Sequence, residues 1–93
     1  MEAQTIAMDD DNRRRERRVR CYRGGRVVFN SGYAVFDCII RNLSSGGALI
    51  EMESLLGIPT YFELHKGPGE PPVRCEVRWR DGKRMGVLFL TQQ

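Results

Sequence analysis

With 93 residues the chain makes one domain at most, and so short a chain buries too thin a core to enclose a deep catalytic cavity. Its 41% hydrophobic and 29% charged residues are ordinary for a globular protein. No apolar run approaches the ~20 residues that cross a bilayer, and the acidic start lacks the basic-then-apolar order of a secretory signal, so a cytoplasmic protein without membrane insertion is expected.

The net charge of +3 is unevenly placed. Glu2, Asp9, Asp10 and Asp11 make residues 1–12 acidic, and these are expected to be a disordered tail. Residues 13–26 then hold eight arginines against Glu16 alone, while residues 27–93 carry balanced charge. Lysine is absent from the cluster. Arginine offers a planar fork that grips phosphate or a guanine edge bidentately and stacks on flat rings, so the segment points to a phosphate-bearing partner. The arm proper, residues 13–20, is expected to be flexible until bound, because its arginines repel one another and present no apolar face.

Strand signals follow. Arg26 to Asn30 is β-prone and ends in the turn Asn30-Ser31-Gly32. Ala34 to Arg41 is a longer apolar run, Asn42 to Gly47 a Ser/Gly loop, and Ala48 to Met52 a third strand. Gly57 and Pro59 interrupt the chain before Thr60 to His65, and Lys66 to Pro72 reads as a loop. Val73, Cys75, Val77 and Trp79 alternate with Arg74, Glu76, Arg78 and Arg80, the pattern of a half-buried strand that assigns Trp79 to the core. Tyr22, Phe29 and Phe36 are likewise expected to pack. Asp81-Gly82 predicts a type I′ hairpin turn into a last strand, Arg84 to Leu90. Six short strands without a long amphipathic helix imply an all-β fold, and closure into an antiparallel barrel would remove exposed edges.

Catalytic chemistry finds few parts here. His65 is the only histidine, and Cys21, Cys38 and Cys75 are far apart without a CxxC pair, which suits neither zinc nor a disulfide scaffold. Cys38 and Cys75 are expected in the core. No nucleophile–base pair or paired carboxylates stand out, so an enzyme is not expected.

Two features remain: the arginine cluster, with an RxxxR spacing at Arg14/Arg18 or Arg13/Arg17, and Asn42-Leu43-Ser44-Ser45-Gly46-Gly47. Alone, the second could be only a turn, in which Asn and Ser bond their own backbone. In this order they resemble the PilZ domain: Arg14-x-x-x-Arg18 before a strand pair, then Asn42-x-Ser44-x-x-Gly47 opening the next strand. Gly57, Val77-Arg78-Trp79 and Met85-Gly86-Val87-Leu88-Phe89 extend the likeness, which covers roughly residues 13–90.

The resemblance implies a six-stranded antiparallel barrel, here without the C-terminal helix many members carry. It also implies cyclic di-GMP as ligand, often as an intercalated dimer. By the same resemblance Arg14, Arg18, Asn42, Ser44 and Gly47 would bind it, with Arg13, Arg15 and Arg17 as helpers. Asn42 stands where Asp is commoner in the family. In some members the strand-end tryptophan lines the ligand surface, whereas alternation places Trp79 inside. A single domain of this kind would signal through an unidentified downstream protein. Two rivals are a barrel that binds RNA or single-stranded DNA through its basic arm, and a PilZ-like adaptor that binds no nucleotide. The first usually interleaves aromatics with its positive charge, which this arm does not.

Overall fold

The computed structural model describes residues 19–90. The expected tail 1–12 and the arginines at 13, 14, 15, 17 and 18 lie outside the described residues. Six strands form: β1 (Val19–Phe29), β2 (Ala34–Leu43), β3 (Gly47–Glu51), β4 (Tyr61–His65), β5 (Val73–Asp81) and β6 (Arg84–Phe89). They close into a barrel in the order β1-β2-β3-β6-β5-β4, with every neighbouring pair antiparallel. The described residues contain no helix, and none that could cross a membrane.

Alternation along each strand fills the interior. Val27, Ile40, Ile50, Leu64, Cys75 and Met85 are fully buried, joined by Cys38, Ala48, Met52, Ile58, Phe62 and Val87. Each large apolar side chain taken from water contributes about 1.5–3 kcal/mol. Among the described residues no polar or charged residue is buried. Both core thiols are free. Burial, aided by the neighbouring Asp37 carboxylate, pushes the Cys38 thiol up to about 11. Burial pushes the Cys75 thiol up to about 12.

The structure departs from the sequence pattern at five places. Strand β1 begins at Val19, well before Arg26, and runs through Gly24 and Gly25. Gly25 is no turn residue: a Cβ there would press on the His65 carbonyl oxygen at 3.0 Å and on Ile40 at 3.1 Å, so its smallness permits barrel closure. The last hairpin turns through Gly82 and Lys83, because Asp81 pairs with Arg84. Gly82 has φ +63° and Lys83 is not positive, which fits a type II′ turn with glycine first and excludes type I′.

Trp79 is not in the core. It is 45% exposed, because β5 carries a bulge between Val77 and Trp79 opposite Val87 and Gly86. One extra residue reverses which face the following side chain takes. Tyr22 and Phe36 also lie outside the buried core, Tyr22 at 74% exposure. Phe29 is partly buried and stacks on Phe36 with ring centroids 5.8 Å apart.

Candidate functional site

The NxSxxG segment joins β2 to β3, and its geometry is set from within. The Ser44 N–H donates to the Gly47 carbonyl at 2.9 Å. Ser44 Oγ accepts from the Gly46 N–H at 3.2 Å and the Gly47 N–H at 3.1 Å, and donates to the Gly47 carbonyl at 3.3 Å. A hydroxyl has one proton and two lone pairs, so Ser44 spends its hydrogen-bonding capacity on the loop. The Phe89 N–H donates to the Gly46 carbonyl at 2.8 Å and ties the loop to β6. Gly47 is required by the same packing. A Cβ there would collide with the Val87 carbonyl oxygen, a backbone atom that cannot swing aside.

Asn42 lies at the end of β2, half-buried, between two irregularities. The β1–β2 register slips between Arg20 and Arg23, and the β2–β3 register slips between Ile40 and Asn42. Bulges re-aim side chains beside functional sites. Here they place Asn42 opposite Arg20 on one side and Leu49 on the other. Leu49 pairs with Gly86, and Gly86 with Trp79. Directly paired residues share a face, and Leu49 lies between the inward Ala48 and Ile50. Arg20, Asn42, Leu49, Gly86 and Trp79 therefore form one row across the outer surface of five strands. The Trp79 indole lies against Gly86, where any Cβ would collide with it.

Next to this row the Arg41 guanidinium stands 5.3 Å from the Tyr22 ring centroid. Arg41 Nη1 donates to Glu51 Oε1 at 2.6 Å, and Arg84 Nε lies 3.4 Å from the same oxygen. Glu51 thus holds Arg41 through one N–H and is shared with Arg84, and among the described residues Arg20 is the cation paired directly with Asn42 across the strands. Among the described residues no cluster of His, Cys, Asp or Glu could hold a metal ion.

Of the residues expected to bind ligand, Asn42, Ser44 and Gly47 come together at one end of the barrel, while Arg13, Arg14, Arg15, Arg17 and Arg18 lie outside the described residues. Leu49 and Arg20 were not among the residues expected to bind ligand, and the outward position of Trp79 agrees with the alternative that the resemblance left open rather than with alternation. One signal was available: glycine within a strand marks a place where something lies close against the backbone, and Gly86 is such a residue.

No curated protein matches the chain. The PilZ domain model matches residues 12–93. With the closed six-stranded barrel already in place, that match shows that the chain belongs to the PilZ domains, a family of cyclic di-GMP binding domains that are typically non-catalytic receptors.

Proposed function

We propose that this PilZ domain binds cyclic di-GMP on the outer row, with Arg14 and Arg18 reaching over it from the arm, and passes the signal on by contacting a downstream protein. The observation that carries this reading is the register of β1 against β2. Val19 pairs with Leu43 and Arg20 with Asn42. Arg18 is bonded directly to Val19, and one peptide step spans about 3.8 Å, so this register supports an arm that meets its ligand beside the NxSxxG loop.

The chemistry is complementary. Arg14 and Arg18 carry the charge and the bidentate geometry for phosphates and guanine O6/N7 edges. Arg13, Arg15 and Arg17 add to the field. The Asn42 amide oxygen accepts from a guanine N–H. Ser44 acts by holding the loop, and Gly47 by letting β3 start hard against β6. Leu49 and Trp79 offer an apolar floor for a base, a surface role that the bulge makes available and alternation alone had denied. The arm expected over residues 13–20 is shorter by two, because Val19 and Arg20 already pair within β1; ligand binding fixes residues 13–18 against the loop, and the surface so formed is what the partner reads. No pair of catalytic groups enters this reading.

Calorimetric titration with cyclic di-GMP, alongside a single-stranded oligonucleotide of matched phosphate count, tests it. Saturable binding of the dinucleotide with little oligonucleotide binding is expected. The reverse preference would favour a nucleic-acid-binding barrel, which the exposed Tyr22 beside Arg41 would then serve. Binding of neither would leave a nucleotide-independent adaptor.

A further inference from the structure

The opposite end of β2 is left open. Strand β1 pairs with β2 along most of its length, from Ala34 to Leu43, but β3 pairs with β2 only from Ile39 onward. Among the described residues nothing pairs with the outer edge of Ala34–Cys38. Proteins blunt such edges with lysine, proline or a covering element. This one has Ala34, Val35, Phe36, Asp37 and Cys38, with one charge, and Asp37 lies 3.7 Å from Arg26 of its own chain. Val35 is 50% exposed, Phe36 48% and Tyr33, at the hairpin tip, 88%. Where β2 and β3 part there is a groove of about 360 Å³ lined by Asp37, Cys38, Ile39, Glu51, Met52, Glu53 and Lys83.

We propose that this edge is a self-association site, at which a second copy of the chain adds its own β2 antiparallel to the first around a two-fold axis at Phe36. Charge selects this register. With the axis at Phe36, Val35 faces the partner's Asp37, and no like charges meet. An axis one residue later would set Asp37 against its own copy, which is unfavourable. The chosen register also brings the partner's Ala34 opposite Cys38. The partner's Tyr33, one residue further, then arrives at the groove beside Ile39. A two-fold contact is self-complementary, so both tyrosines are covered and both edges close. The edge is short, so the interface is smaller than the ~800 Å² per partner of stable complexes, and association is weak. It lies at the end of β2 remote from Asn42, so ligand binding and self-association occupy separate surfaces.

The test is sedimentation equilibrium of the full chain up to about 1 mM, the range in which weak association is seen. Concentration-dependent dimer is expected for the wild type, with a marked loss in Tyr33→Ala. The register is read by a charge pair of variants at Val35. Val35→Asp sets two acids against the partner's Asp37 at both ends of the axis and should weaken the dimer roughly tenfold or more, whereas Val35→Lys pairs with that Asp37 and should keep or tighten it. Thermal melts verify that each variant folds. A wild type that stays monomeric throughout overturns the proposal, including the case in which residues 1–18 cover the edge within one chain. Equal loss in Val35→Asp and Val35→Lys, or a dimer indifferent to all three variants, also overturns it.

Discussion

Strands β3 and β6 lie side by side and show two different surfaces on alternate residues. Ala48, Ile50, Met85 and Val87 turn inward and are buried. Leu49, Gly86 and Leu88 turn outward, and the first two lie in the row that runs from Arg20 through Asn42 to Trp79. The inner face needs volume and apolarity, and many side chains of similar size would serve. The outer face needs particular groups in a particular order, because each faces a chosen neighbour across the strands. If the outer row binds the ligand as proposed, stability and recognition are interleaved at single-residue spacing, and substitutions on neighbouring residues should separate them.

The largest effect belongs to the inner face. Met85→Ala empties a fully buried position and should destabilise the barrel by about 2–5 kcal/mol in denaturant titration. The protein that remains folded should bind cyclic di-GMP as before. A large loss of affinity in that folded fraction would show that the two faces are not separable. The same face sets an alkaline limit. The Cys38 and Cys75 thiols are raised from 9.0 to about 11 and about 12. Their contribution is fully present below about pH 9, where folded and unfolded chains both keep the protons. It declines as the pH rises through the folded values, because the unfolded chain has already lost protons that the folded chain retains.

Next come the arm arginines. Arg14→Ala or Arg18→Ala should cost about 1.5–3 kcal/mol of ligand binding, the loss of a bidentate charge-assisted contact, with an unchanged melting temperature. Full affinity in both variants would remove the arm from the site. Loss confined to Arg13 or Arg17 variants would move the RxxxR register by one residue.

Gly86 and Gly47 sharpen the comparison, since both are glycines with something pressed against the Cα. At Gly47 the neighbour is backbone; at Gly86 it is the Trp79 side chain, which can swing away. Gly86→Ala should therefore cost about 1 kcal/mol or less of stability, the scale of displacing one half-exposed ring contact, while shifting Trp79 fluorescence and weakening ligand binding. Gly47→Ala should destabilise the fold more. If Gly86→Ala moves the fluorescence and leaves affinity untouched, Trp79 is no part of the binding surface.

These residues also show what the sequence disclosed. The alternation from Val73 to Val77 is local, so it located β5, and the Ser44 loop was legible because its bonds run among adjacent residues. The position of Trp79 was not, because a bulge is decided by how β5 meets β6, and the pattern before it continues past it unchanged. Strand β1 extends further than the local pattern for a related reason. The β-prone run starts only at Arg26, yet Gly25 lies within the strand and answers to the approach of His65 from another strand. The row itself, Arg20 to Trp79, is a product of four pairings and three register shifts, and no stretch of sequence contains it.

The smallest effect is expected where one atom type changes. Asn42→Asp exchanges an amide for a carboxylate of the same shape at the residue paired with Arg20. A charged acceptor binds a guanine N–H more strongly than a neutral one, while its new attraction to Arg20, beside it across the strands, offsets part of that gain. Affinity should stay equal or tighten by up to about 1 kcal/mol, whereas Asn42→Ala, which removes the acceptor, should weaken binding. Calorimetry on the three proteins in one buffer decides the polarity of the contact. Much weaker binding by Asn42→Asp would mean that the amide N–H₂ donates to the ligand, to a phosphate or to guanine O6, and that a carboxylate at this position repels what the asparagine holds.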